Sequence, residues 1–187
     1  MATDAKGRLW VGENYTYSER AVGYHPDLRD RILVFEDRDN DGRFDKRTVF
    51  TDDVQMLASI AIGCGGVWLM TPPQLIFIPD RDGDDKPDGA PIVMLDGFTP
   101  ATDNHHTFAN GLKWGPDGWL YFGHGRTSPS DVGRPGTPGE RRTHSDGGVC
   151  RIHPTKLVFE NFADGTTNPW GVDFDDYGQC FVSNCVN

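Results

Sequence analysis

A chain of 187 residues, 36% apolar and 25% charged, has enough material to bury a core without metal or disulfide staples. A net charge of −10 and a pI near 4.9 exclude a general nucleic-acid binder or a domain held on anionic membranes by charge, since both need a basic face. Four cysteines with no C-x-x-C pair exclude a disulfide scaffold, a zinc ribbon, a redox pair and c-type haem attachment.

The chain opens on Met1, Ala2, Thr3 and Asp4 without a basic-then-apolar leader, so no export signal is expected there. Residues 4–11, DAKGRLWV, set a small-residue turn before a short apolar strand. The same pattern returns at residues 63–70, 115–122 and 175–182. Aligned on Gly7, Gly66, Gly118 and Gly178, the repeats lie 59, 52 and 60 residues apart. That period is somewhat above the roughly 40–50 residues of common propeller blades. Residues 31–36, 74–78 and 149–152 read as the next strands, and residues 48–50, 91–95 and 156–159 follow them. Residues 54–79 carry no charge, but Gly63, Gly65, Gly66, Pro72, Pro73 and Pro79 interrupt them. Two buried strands joined by a Pro-rich turn are expected there, and no membrane span. No window offers three turns of helical periodicity with caps. The expectation is an all-β chain. More closely, residues 1–187 read as a partial β-propeller domain, an incomplete arc of about three four-stranded antiparallel blades from a larger protein.

Two acidic loops carry the most regular chemistry. In the first, Asp37, Asp39, Asp41 and Asp45 stand at loop positions 1, 3, 5 and 9, with Gly42 at position 6. Alternating carboxylates of this kind converge on a hard cation such as Ca²⁺, although Thr48 stands where a bidentate Glu belongs. The second, residues 80–88, repeats the spacing with Asp85 in place of the glycine, and is expected to bind more weakly or not at all. The alternative for both is a polar hairpin tip. His105 and His106 precede the third repeated strand, and His124 and Arg126 follow it. Histidines flanking one strand suit proton transfer from a substrate hydroxyl or metal ligation. Arg126, Asn168, Asn14 and Tyr15 offer polar walls for a ligand, and Trp170 reads equally as a wall or as core. His25, His144 and His153 read as structural, and the cysteines as isolated buried thiols. No nucleophile elbow, zincin, Walker or dinucleotide fingerprint occurs.

Residues 148–154, 165–171 and 175–178 resemble the later blades of soluble quinoprotein sugar dehydrogenases, and residues 104–121 resemble the blade bearing their catalytic histidine. Nearly the whole chain is similar to the propeller domain of bacterial membrane-bound dehydrogenases, through residues 9–15, 29–35, 47–50 and 166–171. The resemblance implies an exported, periplasmic propeller that oxidises a sugar or other hydroxylated compound, with a c-type cytochrome domain as a neighbour in the parent protein. In it, His106 or His105 is the base, and Asn168 contacts cofactor or substrate beside His124 and Arg126. Pyrroloquinoline quinone (PQQ) and Ca²⁺ are the implied cofactors. Thr167 stands where the sugar dehydrogenases carry the Arg that pairs with the quinone's acidic groups. The rival reading is a non-catalytic propeller that binds carbohydrate or protein.

Overall fold

Short apolar runs punctuated by Gly, Asp and Pro satisfy their backbones by pairing with the segments next to them in sequence. The computed structural model describes residues 1–17, 24–100 and 107–185. Strands β1 (Ala2–Thr3), β2 (Leu9–Glu13), β3 (Asp30–Glu36) and β4 (Lys46–Val54) form one antiparallel sheet in sequence order. Strands β5 (Ser59–Ile62), β6 (Gly66–Thr71), β7 (Gln74–Pro79) and β8 (Ile92–Asp96) form a second, again in sequence order. Then come β9 (Asn110–Trp114) and β10 (Leu120–His124), a side hairpin of β11 (Ser130–Val132) and β12 (Thr143–Ser145), and β13 (Gly148–Ile152) with β14 (Phe159–Asp164). The third sheet has the order β14-β13-β10-β9, so it skips the side hairpin. Strands β15 (Pro169–Phe174) and β16 (Cys180–Asn184) close the chain as an antiparallel pair. A 3₁₀ turn at Gly139–Arg141 is the one helical element among the described residues, and no helix there is long and apolar enough to cross a membrane. The chain is all-β, as expected.

It divides into two compact units: Met1–Thr71 with Phe77–Ile92, and Pro72–Ile76 with Val93–Asn187. In the first unit Trp10 packs edge-on against Phe50 at 5.3 Å, and β6 is buried along its whole length. Its key polar anchor is Asp30, fully buried. Asp30 accepts hydrogen bonds from the amides of Tyr15 (2.6 Å), Thr16 (2.8 Å) and Leu57 (2.9 Å) and from the Thr16 hydroxyl (2.7 Å). In the second unit Phe98, Phe122 and Phe159 pack mutually, with centroids 5.7, 6.2 and 6.4 Å apart.

Two expectations shift. Gly7, Gly118 and Gly178 each have φ between 77° and 79°, but the matching residue of the second repeat is Gly65, at 76°. Its turn is one residue shorter, with Cys64 also left-handed at 55° and the Gly63 amide donating to Gly66 O. Gly66 is glycine for a different reason: a Cβ there would lie 2.3 Å from Ile78 O and 2.7 Å from the Phe77 ring. The strand expected at 156–159 begins only at Phe159. Leu157, left-handed at φ 55°, donates its amide to His153 O and holds the preceding residues in a turn.

The two glycines should therefore respond differently to alanine. Gly66→Ala forces backbone and ring apart and should cost about 1–3 kcal/mol. Gly7→Ala meets open space and should cost only the left-handed penalty, ~1 kcal/mol. Urea unfolding measures both, and equal losses would refute the packing account of Gly66.

Candidate functional site

The second unit gathers His124, Arg126 and Asn168 by backbone geometry. Strand β10 ends at His124, and the Arg126 amide donates to Thr167 O at 2.9 Å. Asn168 is held from the other side: its amide donates to Asn184 Oδ1 at 2.9 Å, and its carbonyl accepts the Cys185 amide at 3.1 Å. Gly125 lets Thr107 approach, since a Cβ at Gly125 would lie 2.0 Å from Thr107 O. The Thr107 hydroxyl bonds to the Thr127 hydroxyl and, at 3.0 Å, to that of Ser128.

His124 is 1% exposed. Its Nε2 lies 2.9 Å from Ser130 Oγ. That hydroxyl already donates to Ser128 O at 2.8 Å and accepts the Thr99 amide at 2.9 Å. The remaining role assigns the ring proton to Nε2 and leaves Nδ1 as a bare acceptor. Among the described residues Nδ1 has no hydrogen-bond partner. Asn168 Oδ1 and Thr166 Oγ1 are likewise buried without a partner there. Burial pushes the imidazole down to about 4, against the raising effects of the Asp146 charge and the Gly125 backbone. His124 is thus neutral near pH 7 and an acceptor. Arg126 is exposed and supplies a positive charge at this end of β10.

His105 and His106 lie outside the described residues. Trp170 is half exposed and does not serve as core, and Tyr15 instead stacks under Arg31 at 5.2 Å. Asn14 is used internally, with Nδ2 donating to Leu57 O at 2.7 Å. His144 pairs with Asp131 at 2.8 Å, and His153 Nδ1 accepts amides from the turn that follows it. All four cysteines are free, but only Cys150 is buried outright. Sequence reasoning missed the hydroxyl group of Thr107, Thr127, Ser128 and Ser130. The run of Thr and Ser just after Arg126 was its signal.

In the first unit, Asp37, Asp39 and Asp41 bring carboxylate oxygens within 4.8 Å of one another. Asp45 is not part of that group. It faces Arg38 at 3.3 Å, whose hydrogen bond holds its carboxyl below the usual range. Asp80, Asp82 and Asp84 form a second group of the same span. Both sets are all-oxygen and suit a hard cation such as Ca²⁺. Burial, with the Asp85 and Asp82 charges adding to it, pushes the Asp80 carboxyl up despite the nearby Gly83 and Asp84 amides.

The family model of DUF7133, a domain of unknown function, matches residues 1–187, and the chain belongs to that family. A search of the curated proteins found no match.

His124 makes stability depend on pH. Its folded value near 4 lies below the ordinary 6.5, so within that window the unfolded chain binds a proton that the folded chain refuses. The stabilisation is complete above pH 6.5 and is lost as the pH falls towards 4, by on the order of 3 kcal/mol. Urea unfolding at about pH 7.5 and about pH 4.5 should show this drop in the wild type and a smaller one in His124→Gln. Parallel drops in the two proteins would remove His124 as the cause.

Proposed function

We propose that this chain supplies successive blades of a β-propeller in a dehydrogenase-like protein, and that it receives a sugar or other hydroxylated compound at the strand ends carrying His124, Arg126 and Asn168. The propeller reading rests on meandering four-stranded sheets that follow one another along the chain. It rests also on a turn recurring at Gly7, Gly65, Gly118 and Gly178, with intervals of 58, 53 and 60 residues. The observation that carries the ligand class is the trio of buried atoms without a partner among the described residues: His124 Nδ1, Asn168 Oδ1 and Thr166 Oγ1. A buried polar atom left unpaired costs about 1–3 kcal/mol. Two of the three are pure acceptors, and a hydroxyl is an uncharged group that can donate to them.

The same donor set does not suit PQQ. A polycarboxylate quinone needs cations and N–H donors, yet the unpaired groups are acceptors and a hydroxyl, and Arg126 is a single exposed cation whose amide meets Thr167 O. Export to the periplasm and a cytochrome partner are supported by the family resemblance of the sequence alone.

Binding without chemistry, as in a carbohydrate-presenting domain, needs only these acceptors. Oxidation needs a base as well, and one observation favours that second reading. Thr107, the residue following His106, is anchored at Gly125, Thr127 and Ser128, directly beside His124. His106 or His105 would then take the proton of the substrate hydroxyl, while the hydride would leave for a separately bound redox cofactor.

Calorimetric titration of the chain with a panel of sugars and polyols tests the ligand class. Asn168→Ala should weaken binding about three- to tenfold, the value of one neutral hydrogen bond. Absence of binding across the panel would overturn the proposal. Dye-linked oxidation assays, with and without PQQ and Ca²⁺, then separate the two readings. Turnover abolished by His105→Ala or His106→Ala means a dehydrogenase, and binding without turnover means a presenting domain.

A further inference from the structure

The two acidic loops of the first unit have one backbone and different chemistry. Positions 4 and 6 are left-handed in both, at Asn40 and Gly42 (φ 59° and 87°) and at Gly83 and Asp85 (φ 69° and 67°). Position 9 closes each loop on the residue before position 1: the Asp45 amide donates to Glu36 O at 3.0 Å, and the Asp88 amide to Pro79 O at 2.8 Å. Asp85 therefore adopts the turn that glycine makes in the first loop. Its side chain leaves the loop altogether and meets Arg8 Nη1 through both oxygens at 2.7 Å.

Position 1 separates the loops. Both oxygens of Asp37 are already used, Oδ1 by the Asp41 amide at 3.2 Å and Oδ2 by the Gly42 amide at 2.9 Å. Asp80 is partly buried, and its Oδ1 is enclosed with no hydrogen-bond partner among the described residues. It lines a cavity of about 270 Å³ together with Asp4, Lys6, Trp10, Gly63 and Gly83. An enclosed carboxylate oxygen without a donor disfavours its charged form, and either a proton or a cation relieves it. Asp82 and Asp84 stand within 4.8 Å, exposed to the solvent that would deliver the ion.

We propose that the second acidic loop, rather than the first, is a Ca²⁺ site of this protein, with Asp80, Asp82 and Asp84 as its carboxylate ligands. All its side-chain donors are hard oxygens, which excludes Zn²⁺ as the preferred ion. An irregular loop completed by water suits Ca²⁺ better than Mg²⁺, which demands a near-ideal octahedron. Pro91 stands at position 12, so no bidentate Glu contributes, and Lys86 engages both oxygens of Asp84, its amide Oδ1 at 3.0 Å and its Nζ Oδ2 at 3.1 Å, in competition with the ion. Affinity is accordingly in the weak range of extracellular modules, on the order of 10⁻⁴ to 10⁻³ M.

Calorimetry of the whole chain titrated with CaCl₂ should give uptake that Asp80→Asn removes and Asp37→Asn leaves within about twofold. Because Asp80 is partly buried, Asp82→Asn is the companion variant: its side chain is exposed, so its fold is secure, and it should weaken uptake at least about tenfold. Terbium luminescence excited through tryptophan gives a second readout, since Trp10 lines the same cavity as Asp80, and Ca²⁺ should quench it by displacement. No uptake at millimolar Ca²⁺ overturns the proposal. So does uptake lost in Asp37→Asn but kept in Asp80→Asn and Asp82→Asn.

Discussion

A buried guanidinium has to be met by carboxylates, and in the first unit Arg8 meets two. Its Nε lies 2.8 Å from Asp4 Oδ2, and its Nη1 lies 2.7 Å from Asp85. Asp4 also accepts the Trp10 indole N–H at 3.0 Å and the amides of Lys6 and Arg8. These donors hold its carboxyl below the ordinary value even though burial acts the other way. The result ties the first repeated turn to the second acidic loop, 77 residues apart in sequence. Breaking such a pair by removing one partner is typically worth about 3–5 kcal/mol, because the other charge is left buried. The same contact allows a non-glycine residue to stay left-handed at position 85, since the ion pair offsets a strain of ~1–2 kcal/mol. Much of the first unit's loop geometry follows from this one arginine.

Legibility in the sequence followed from how local each signal was. Strand after strand could be read from β-branched runs between turn residues, because pairing with the next segment requires little more than a turn of suitable chemistry. The errors arose where a distant contact decided the matter. Gly65 and Gly66 are adjacent glycines, and only the Phe77 ring and Ile78 carbonyl distinguish the turn glycine from the packing glycine. Residues 156–159 have strand composition, but the left-handed Leu157 delays the strand. The side hairpin of β11 and β12 lies in a stretch of Gly, Pro and Arg without alternation, so no periodic signal marked it.

The candidate sites divide the same way. The spacing of the Asp residues was fully visible, and both loops do assemble carboxylate triplets. Which first-position aspartate keeps a free buried oxygen was not visible, because that depends on the walls of a cavity. Nor could sequence reveal that Asp45 would turn to Arg38 rather than to the cluster. His124 and Asn168 were legible as polar residues at strand ends. Their burial was not, since it comes from the packing of Thr107 on Gly125 and of Pro169 on Gly123.

That burial decides what His124 can do. A solvent-exposed imidazole near its ordinary 6.5 would be partly protonated around neutral pH and would alternate between donor and acceptor. With its value pushed down to about 4, His124 offers a lone pair on Nδ1 across the physiological range while Nε2 stays committed to Ser130. The Thr107 and Ser128 hydroxyls bond to each other, and the Ser130 hydroxyl donates to the Ser128 carbonyl, so the ring is fixed without consuming that lone pair. Asn168 is fixed similarly, with its backbone amide and carbonyl both occupied and Oδ1 left over. For the hydroxylated ligand proposed above, acceptors already held in place would lose little freedom when it arrives.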